Sequence, residues 1–144
     1  MQKPNIYYIN LERSKSRKIS IEKQLLEKNI KFKRISAINA ENMEKNKIID
    51  ISDNDKEYKF YKKEGLEYKI SDRNIAITLS HLKVMQEFLE NDKNEYCIIM
   101  EDDVSLQYIN DFYNEIEIIL NNAPDNWDII SLHSSLDRVI KECI

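Results

Sequence analysis

Four consecutive apolar residues, Cys97-Ile98-Ile99-Met100, run directly into three consecutive acids, Glu101-Asp102-Asp103. A short apolar run of this kind reads as a strand buried on both faces, the pattern of a parallel sheet. In open α/β sheets, ligands bind just outside the carboxyl ends of such strands. Three acids there supply hard oxygen donors, which suit Mg²⁺ or Mn²⁺. Position alone gives equal standing to a plainer reading, a solvated strand end whose acids cap the next turn. The rest of the chain has to separate the two.

At 144 residues, 42% hydrophobic and 33% charged, the chain has the make-up of one soluble globular domain, residues 1–144, with a sizeable core. No run approaches a membrane span, and residues 1–20 lack the apolar centre of a signal peptide. The chain therefore reads as cytoplasmic, or as held at the cytoplasmic face of the inner membrane by peripheral contact. A net charge of −4 gives no electrostatic reason to bind nucleic acid. Cys97 and Cys143 form no C-x-x-C pair, and Cys97 reads as a small core residue of its strand. Gly65 is the only glycine. Walker A loops and dinucleotide fingerprints need glycines so that backbone can approach phosphate, so neither is present. Any nucleotide must be held by side chains, helix ends or a metal.

The order of elements follows from hydrophobic spacing. Asn5–Asn10 is expected to be the first strand, β-branched and aromatic, beginning after Pro4. A polar turn then enters a helix with Ile21, Leu25 and Leu26 on its apolar face, Ser14 or Ser16 as its cap and Asn29 as its end. Residues 32–35 read as a second strand, parallel to the first because a helix separates them. Arg13 and Arg17 lie four apart on one face at the helix start. There they form either a solvated basic face or an anion site built from dipole and guanidinium together. Between Ser36 and Lys69 the pattern weakens, and the basic and aromatic run at 56–63 reads as part of an excursion over the site. Ser71 opens the clearest helix, with Ile75, Leu79, Leu82 and Leu89 on the expected core face, widened by Ala76, Met85 and Phe88. His81, beside that face, reads as a hydrogen-bonded structural residue ahead of a ligand. After the acids, Tyr108, Ile109, Phe112, Ile116 and Leu120 recur at helical spacing, residues 123–126 break the helix, and Trp127–Leu132 is expected to form a last buried strand.

These landmarks, in this order, resemble glycosyltransferase family 25 of lipopolysaccharide and lipooligosaccharide biosynthesis. Ile9-Asn10-Leu11-Glu12-Arg13 through Arg17 is similar to the family's opening strand and arginine turn. Ser36-Ala37-Ile38-Asn39-Ala40 resembles its segment after the second strand, and Leu79-Ser80-His81-Leu82 its Ser-His helix. Ile98–Val104 resembles its acidic motif and Trp127-Asp128-Ile129-Ile130 its next strand. In place of the family's usual Gly-Glu ahead of the Ser-His helix stands Arg73-Asn74. The likeness covers this whole chain but only the front half of a typical member.

The resemblance implies a GT-A-like α/β fold, a mostly parallel sheet flanked by helices, here an incomplete one carrying the donor-binding half. It implies inverting transfer of a hexose, commonly galactose, from a UDP-sugar to a saccharide or glycolipid acceptor. Asp103, with Glu101 second, is expected to hold Mn²⁺ or Mg²⁺, with Asp102 turned partly toward the sheet or the donor sugar and Asp102 and Asp103 closest to the chemistry. Asn10, Arg13, Arg17, Ser80 and His81 are expected to line the donor. No residue is assigned as the catalytic base, and an uncovered sheet edge would favour self-association. Two other readings compete. One is a remnant that binds nucleotide-sugar without transferring it. The other is a phosphoacceptor domain, disfavoured because Asp50 and Asp53 are poor phosphorylation sites and His133, not lysine, follows Leu132.

Overall fold

The computed structural model describes residues 3–42 and 71–132. The basic and aromatic run at 56–63 and the tail from His133, with Cys143, lie outside the described residues. The chain forms two compact units, residues 1–110 and 111–144.

In the first unit, strand β1 (Asn5–Asn10) is followed by helix α1 (Lys15–Glu27), strand β2 (Phe32–Ser36), a single 3₁₀ turn (Ala40–Asn42), helix α2 (Asp72–Asn91) and strand β3 (Cys97–Glu101). The strands form an all-parallel sheet in the order β2-β1-β3. Ile9 stands opposite Ile35 on one side and Glu101 on the other, so the three carboxyl ends lie level. β1 is central and every residue from Ile6 to Asn10 is buried, as its continuous apolar run requires.

Alternation along β1 assigns the two faces. Tyr7 and Ile9 pack with Ile35 and Val84, flanked by Ala37, Phe88, Cys97 and Ile99, on the side of α2. Ile6 and Tyr8 face the other way, and the Tyr8 hydroxyl donates to Glu22 of α1. α1 buries Ile21 and Leu25 completely. It ends in a Schellman turn: Ile30 N–H reaches Leu25 C=O at 2.9 Å and Asn29 N–H reaches Leu26 C=O at 3.0 Å. Asn29 takes the left-handed conformation there, φ 54°, which asparagine tolerates where many chains place glycine. α2 starts as expected, with Ser71 Oγ accepting from Asn74 N–H at 3.2 Å.

The structure corrects several expectations. The buried face of α2 is Ala76, Ser80 and Val84, while Leu82, Met85 and Leu89 are exposed. Small residues win because the helix backbone comes close to the segment after β2: Ser80 reaches Ile38 directly. β3 has one ladder partner among the described residues, so Cys97 and Ile99 are only half-buried. Ser14 occupies the N-cap position of α1 but makes no capping bond, because its Oγ accepts from Arg17. Trp127–Leu132 is not a strand. No described residue offers it a ladder partner, and Ile129 and Leu132 are exposed. High β-propensity without a partner does not make a sheet.

The second unit carries helix α3 (Phe112–Asn122), capped by Asp111 Oδ1 accepting from Asn114 N–H at 3.2 Å. Its start falls after Tyr108 and Ile109, which the spacing had placed within it. Among the described residues, no helix is long and apolar enough to cross a membrane.

The two core tyrosines give the fold an alkaline limit. Burial, then the Asp92 carboxylate, push the Tyr7 hydroxyl up from 10.0 to about 12. Burial, then the Glu22 hydrogen bond, push Tyr8 up as well. Both folded values exceed the unfolded ones, so the phenols keep their protons longer in the native state. Their contribution is complete below pH 10.0 and falls as pH rises toward about 12. Urea unfolding measured across that window should show stability dropping by about 1.4 kcal/mol per pH unit for each tyrosine. The slope should be shallower in Tyr7→Phe; a flat profile in wild type would contradict this picture.

Candidate functional site

A cleft of about 510 Å³ opens at the level carboxyl edge of the sheet. Ile9 near the end of β1 and Leu11 just after it line the cleft, with Ala37–Ala40 from beyond β2 and Glu101, Asp102 and Asp103 from the end of β3. Arg13, Ser14 and Arg17 enter from the start of α1, and Arg73, Ala76, Ile77, Ser80 and His81 from α2. Because the sheet order is β2-β1-β3, the chain leaves β1 toward one side and returns to its other side. That makes this edge a topological switch point, where open α/β sheets take their ligands.

Both arginines expected at the site line the cleft, each held by a carboxylate. Arg13 Nη1 pairs with Glu41 Oε2 at 2.6 Å, in the 3₁₀ turn. Arg17 Nη1 lies 3.1 Å from Asp102 Oδ1 and 4.0 Å from Asp103 Oδ2, and its Nη2 donates to Ser14 Oγ at 3.0 Å. Arg17 remains half-exposed and Arg13 more so, leaving guanidinium edges open to the cleft. Arg73 also lines it, from the first turn of α2.

The three acids diverge in environment. Asp102 is buried, 7% exposed, and accepts from Asn10 Nδ2 at 2.6 Å as well as from Arg17. Asp103 and Glu101 are exposed. The loop after them is braced by α1, one turn after another. Gln24 Oε1 accepts from Leu106 N–H at 2.7 Å, and Lys28 Nζ donates to Ile109 C=O. Among the described residues, no three His, Cys, Asp or Glu side chains come together as a metal cage. What remains is Glu101 and Asp103, two exposed hard-oxygen donors on one cleft wall. Such a set fits a Mg²⁺-type ion that keeps waters and is completed by substrate phosphates, not an ion enclosed by protein.

His81 and Ser80 occupy the α2 wall differently. His81 Nε2 stands 3.5 Å from Glu101 Oε1, tying the long helix to the end of β3. Ser80 is 2% exposed; its Oγ accepts from Ile38 N–H at 2.9 Å and donates to Ala76 C=O at 2.6 Å. That hydroxyl is the clamp between α2 and the segment after β2. Ser80→Ala would take the acceptor from the part-buried Ile38 N–H, so urea denaturation should show a loss of about 0.5–1.5 kcal/mol. A loss under about 0.5 kcal/mol, the range of neutral surface changes, would remove the clamp from the account.

Cys97, in the same strand as the acids, has its thiol pushed up to about 11, chiefly by burial. That shift disfavours the thiolate that a nucleophile needs. Reading the sequence missed Arg34, Glu41, Gln24 and Lys28. Arg34 had one local sign, a charged residue between Phe32 and Ile35 in a strand. Its meaning depends on the pairing that sets it opposite Tyr8.

The family model described as glycosyltransferase family 25 (LPS biosynthesis protein) matches residues 3–142. No curated protein and no solved structure matches the chain. The family match spans both the arginine turn and the acidic strand end that meet in the cleft. The chain belongs to glycosyltransferase family 25, the glycosyltransferases of lipopolysaccharide biosynthesis.

Proposed function

We propose that the cleft binds a UDP-sugar and that the protein transfers its hexose, galactose foremost, to a hydroxyl of a saccharide or glycolipid acceptor, with inversion at the anomeric carbon. One observation carries this reading. Two arginines at the start of α1 and the acids at the end of β3 line the same switch-point cleft. A nucleoside diphosphate needs that combination, cations for its oxygens and carboxylates for the ion it brings.

Arg17 and Arg13 bind diphosphate oxygens through charged hydrogen bonds, helped by the amino end of α1, whose cap position lacks a side-chain bond. Glu101 and Asp103 would hold Mn²⁺ or Mg²⁺. When bound, that ion neutralises charge developing on the leaving diphosphate. His81 restrains Glu101 from behind. The small residues Ala37, Ala40 and Ala76 leave room for a flat ring against the cleft wall.

The test is calorimetric titration with UDP, UDP-galactose and UDP-glucose, with and without Mn²⁺, followed by UDP release on adding a sugar-terminated acceptor. A charged hydrogen bond is worth about 1.5–3 kcal/mol, so Arg17→Ala should weaken UDP by about tenfold or more. Normal UDP binding by Arg17→Ala would return the arginine pair to the role of a solvated helix face.

A further inference from the structure

The side-chain amide of Asn10 is buried and committed at both ends to protein partners. It is 1% exposed, and its Nδ2 donates to Asp102 Oδ2 at 2.6 Å and to Ser14 C=O at 3.1 Å, which uses both amide protons. Its Oδ1 accepts from Arg34 Nε at 3.0 Å. The orientation of this amide is dictated by its neighbours. Arginine can only donate and the Asp102 carboxylate can only accept, so oxygen must face Arg34 and nitrogen must face Asp102. Arg34 is itself held, with Nη1 2.9 Å from Glu12 Oε1 and Nη2 donating to Asn10 C=O at 3.5 Å.

A single polar chain therefore crosses the carboxyl edge of the sheet: Arg34 on β2, Asn10 on β1, Asp102 after β3, Arg17 on α1. The Asn10 dipole points its oxygen at the Arg34 cation and one N–H at the Asp102 anion. We infer that Arg34 and Asn10 are positioning residues that lock the Asp102 carboxylate and, through it, the Arg17 guanidinium in the geometry that receives the donor diphosphate. This rests on the donor reading above for the identity of the ligand. It moves Asn10 from the expected donor contact to the scaffold, and it gives Asp102, expected close to the chemistry, a role as the seat of Arg17. Arg17 is a long, half-exposed side chain with many rotamers. Fixing it before the ligand arrives lowers the entropy lost on binding.

The test uses the 144-residue chain labelled at arginine with ¹⁵N, and two readouts. In wild type without ligand, hindered rotation should leave resolved Nη–H signals from Arg17. In Arg34→Met these should collapse to the averaged signal of a free guanidinium. UDP affinity should fall about fivefold to tenfold in Arg34→Met, yet by less than about twofold when the same change is made in an Arg17→Ala background, because coupled residues are not additive. A merely structural Arg34 would weaken both backgrounds equally, and that result overturns the inference. So does a folded Arg34→Met whose Arg17 signals and UDP affinity match wild type. If Arg34→Met does not fold, Arg34→Lys keeps a charge against Glu12 but lacks the planar fork; averaged Arg17 signals there support the inference, and wild-type signals overturn it. If wild type itself fails to bind UDP, the donor reading falls, and the Arg17 signals alone decide the positioning role.

Discussion

Asn10→Asp, a change of one heavy atom, should be among the most damaging substitutions in this protein. The new carboxylate would stand where the amide nitrogen now lies 2.6 Å from Asp102 Oδ2, in a position 1% exposed to solvent. Two carboxylates at that spacing cannot both stay ionised. Arg34, already beside the other oxygen, offsets part of the repulsion. A net loss of about 3 kcal/mol is expected, on the scale of breaking a buried ion pair. Its pH dependence is the identifying mark. One carboxyl of the pair should have a folded pKa raised above its unfolded value, so the native state binds the extra proton. The deficit relative to wild type should then be largest above that raised value and shrink as pH falls toward the ordinary carboxylate range. Urea unfolding of both proteins at pH 8 and pH 5 measures it. A deficit that does not change with pH would mean that Asn10 and Asp102 are not in direct contact.

The second large effect separates neighbouring acids. Asp102→Ala should cost about 2 kcal/mol, because the buried Asn10 N–H loses its acceptor, while the half-exposed Arg17 can turn to water. Asp103→Asn should stay within about 0.5 kcal/mol of wild type, as exposed positions usually do. Under the proposed function, Asp103→Asn should nonetheless lose the Mn²⁺-dependent part of UDP binding. Thermal or urea denaturation beside a UDP titration with and without Mn²⁺ reads both effects. Equal destabilisation by the two changes would contradict the burial difference, and undiminished metal-dependent binding in Asp103→Asn would take that residue out of the ion site.

The site was only partly legible in advance, and the division follows particular residues. Arg13, Arg17 and the acids could be placed near one another because each follows a strand end that its own neighbourhood announces, whereas His81 was drawn to them by the family resemblance. Arg34 could not be placed. It is a charged residue in a short strand until β2 pairs with β1 in the register that sets Arg34 opposite Tyr8. Ser80, expected beside His81 on the donor, lines the cleft, but its bonds to Ile38 and Ala76, which clamp α2 to the segment after β2, are visible only in the fold. The buried face of α2 departs from the hydrophobic spacing for a related reason. Leu82 and Leu89 are the more hydrophobic choices, but a close helix approach admits Ala76 and Ser80 and leaves the leucines outside.

The amino-acid sequence by itself determined the succession of β1, α1, β2, α2 and β3, the parallel sense of the strands, the helix start at Ser71, the turn at Asn29, and the acids at a strand end. Periodicity, capping and turn chemistry act within a few residues of chain, so a contiguous window contains everything that decides them. Tertiary structure alone decided that β3 pairs on one side among the described residues, that Trp127–Leu132 is no strand, and that Asn10 and Arg17 are the groups that hold Asp102. Those outcomes depend on which distant groups arrive: Asn10 is 92 positions from Asp102 in the chain, and only the folded sheet brings its amide within 2.6 Å.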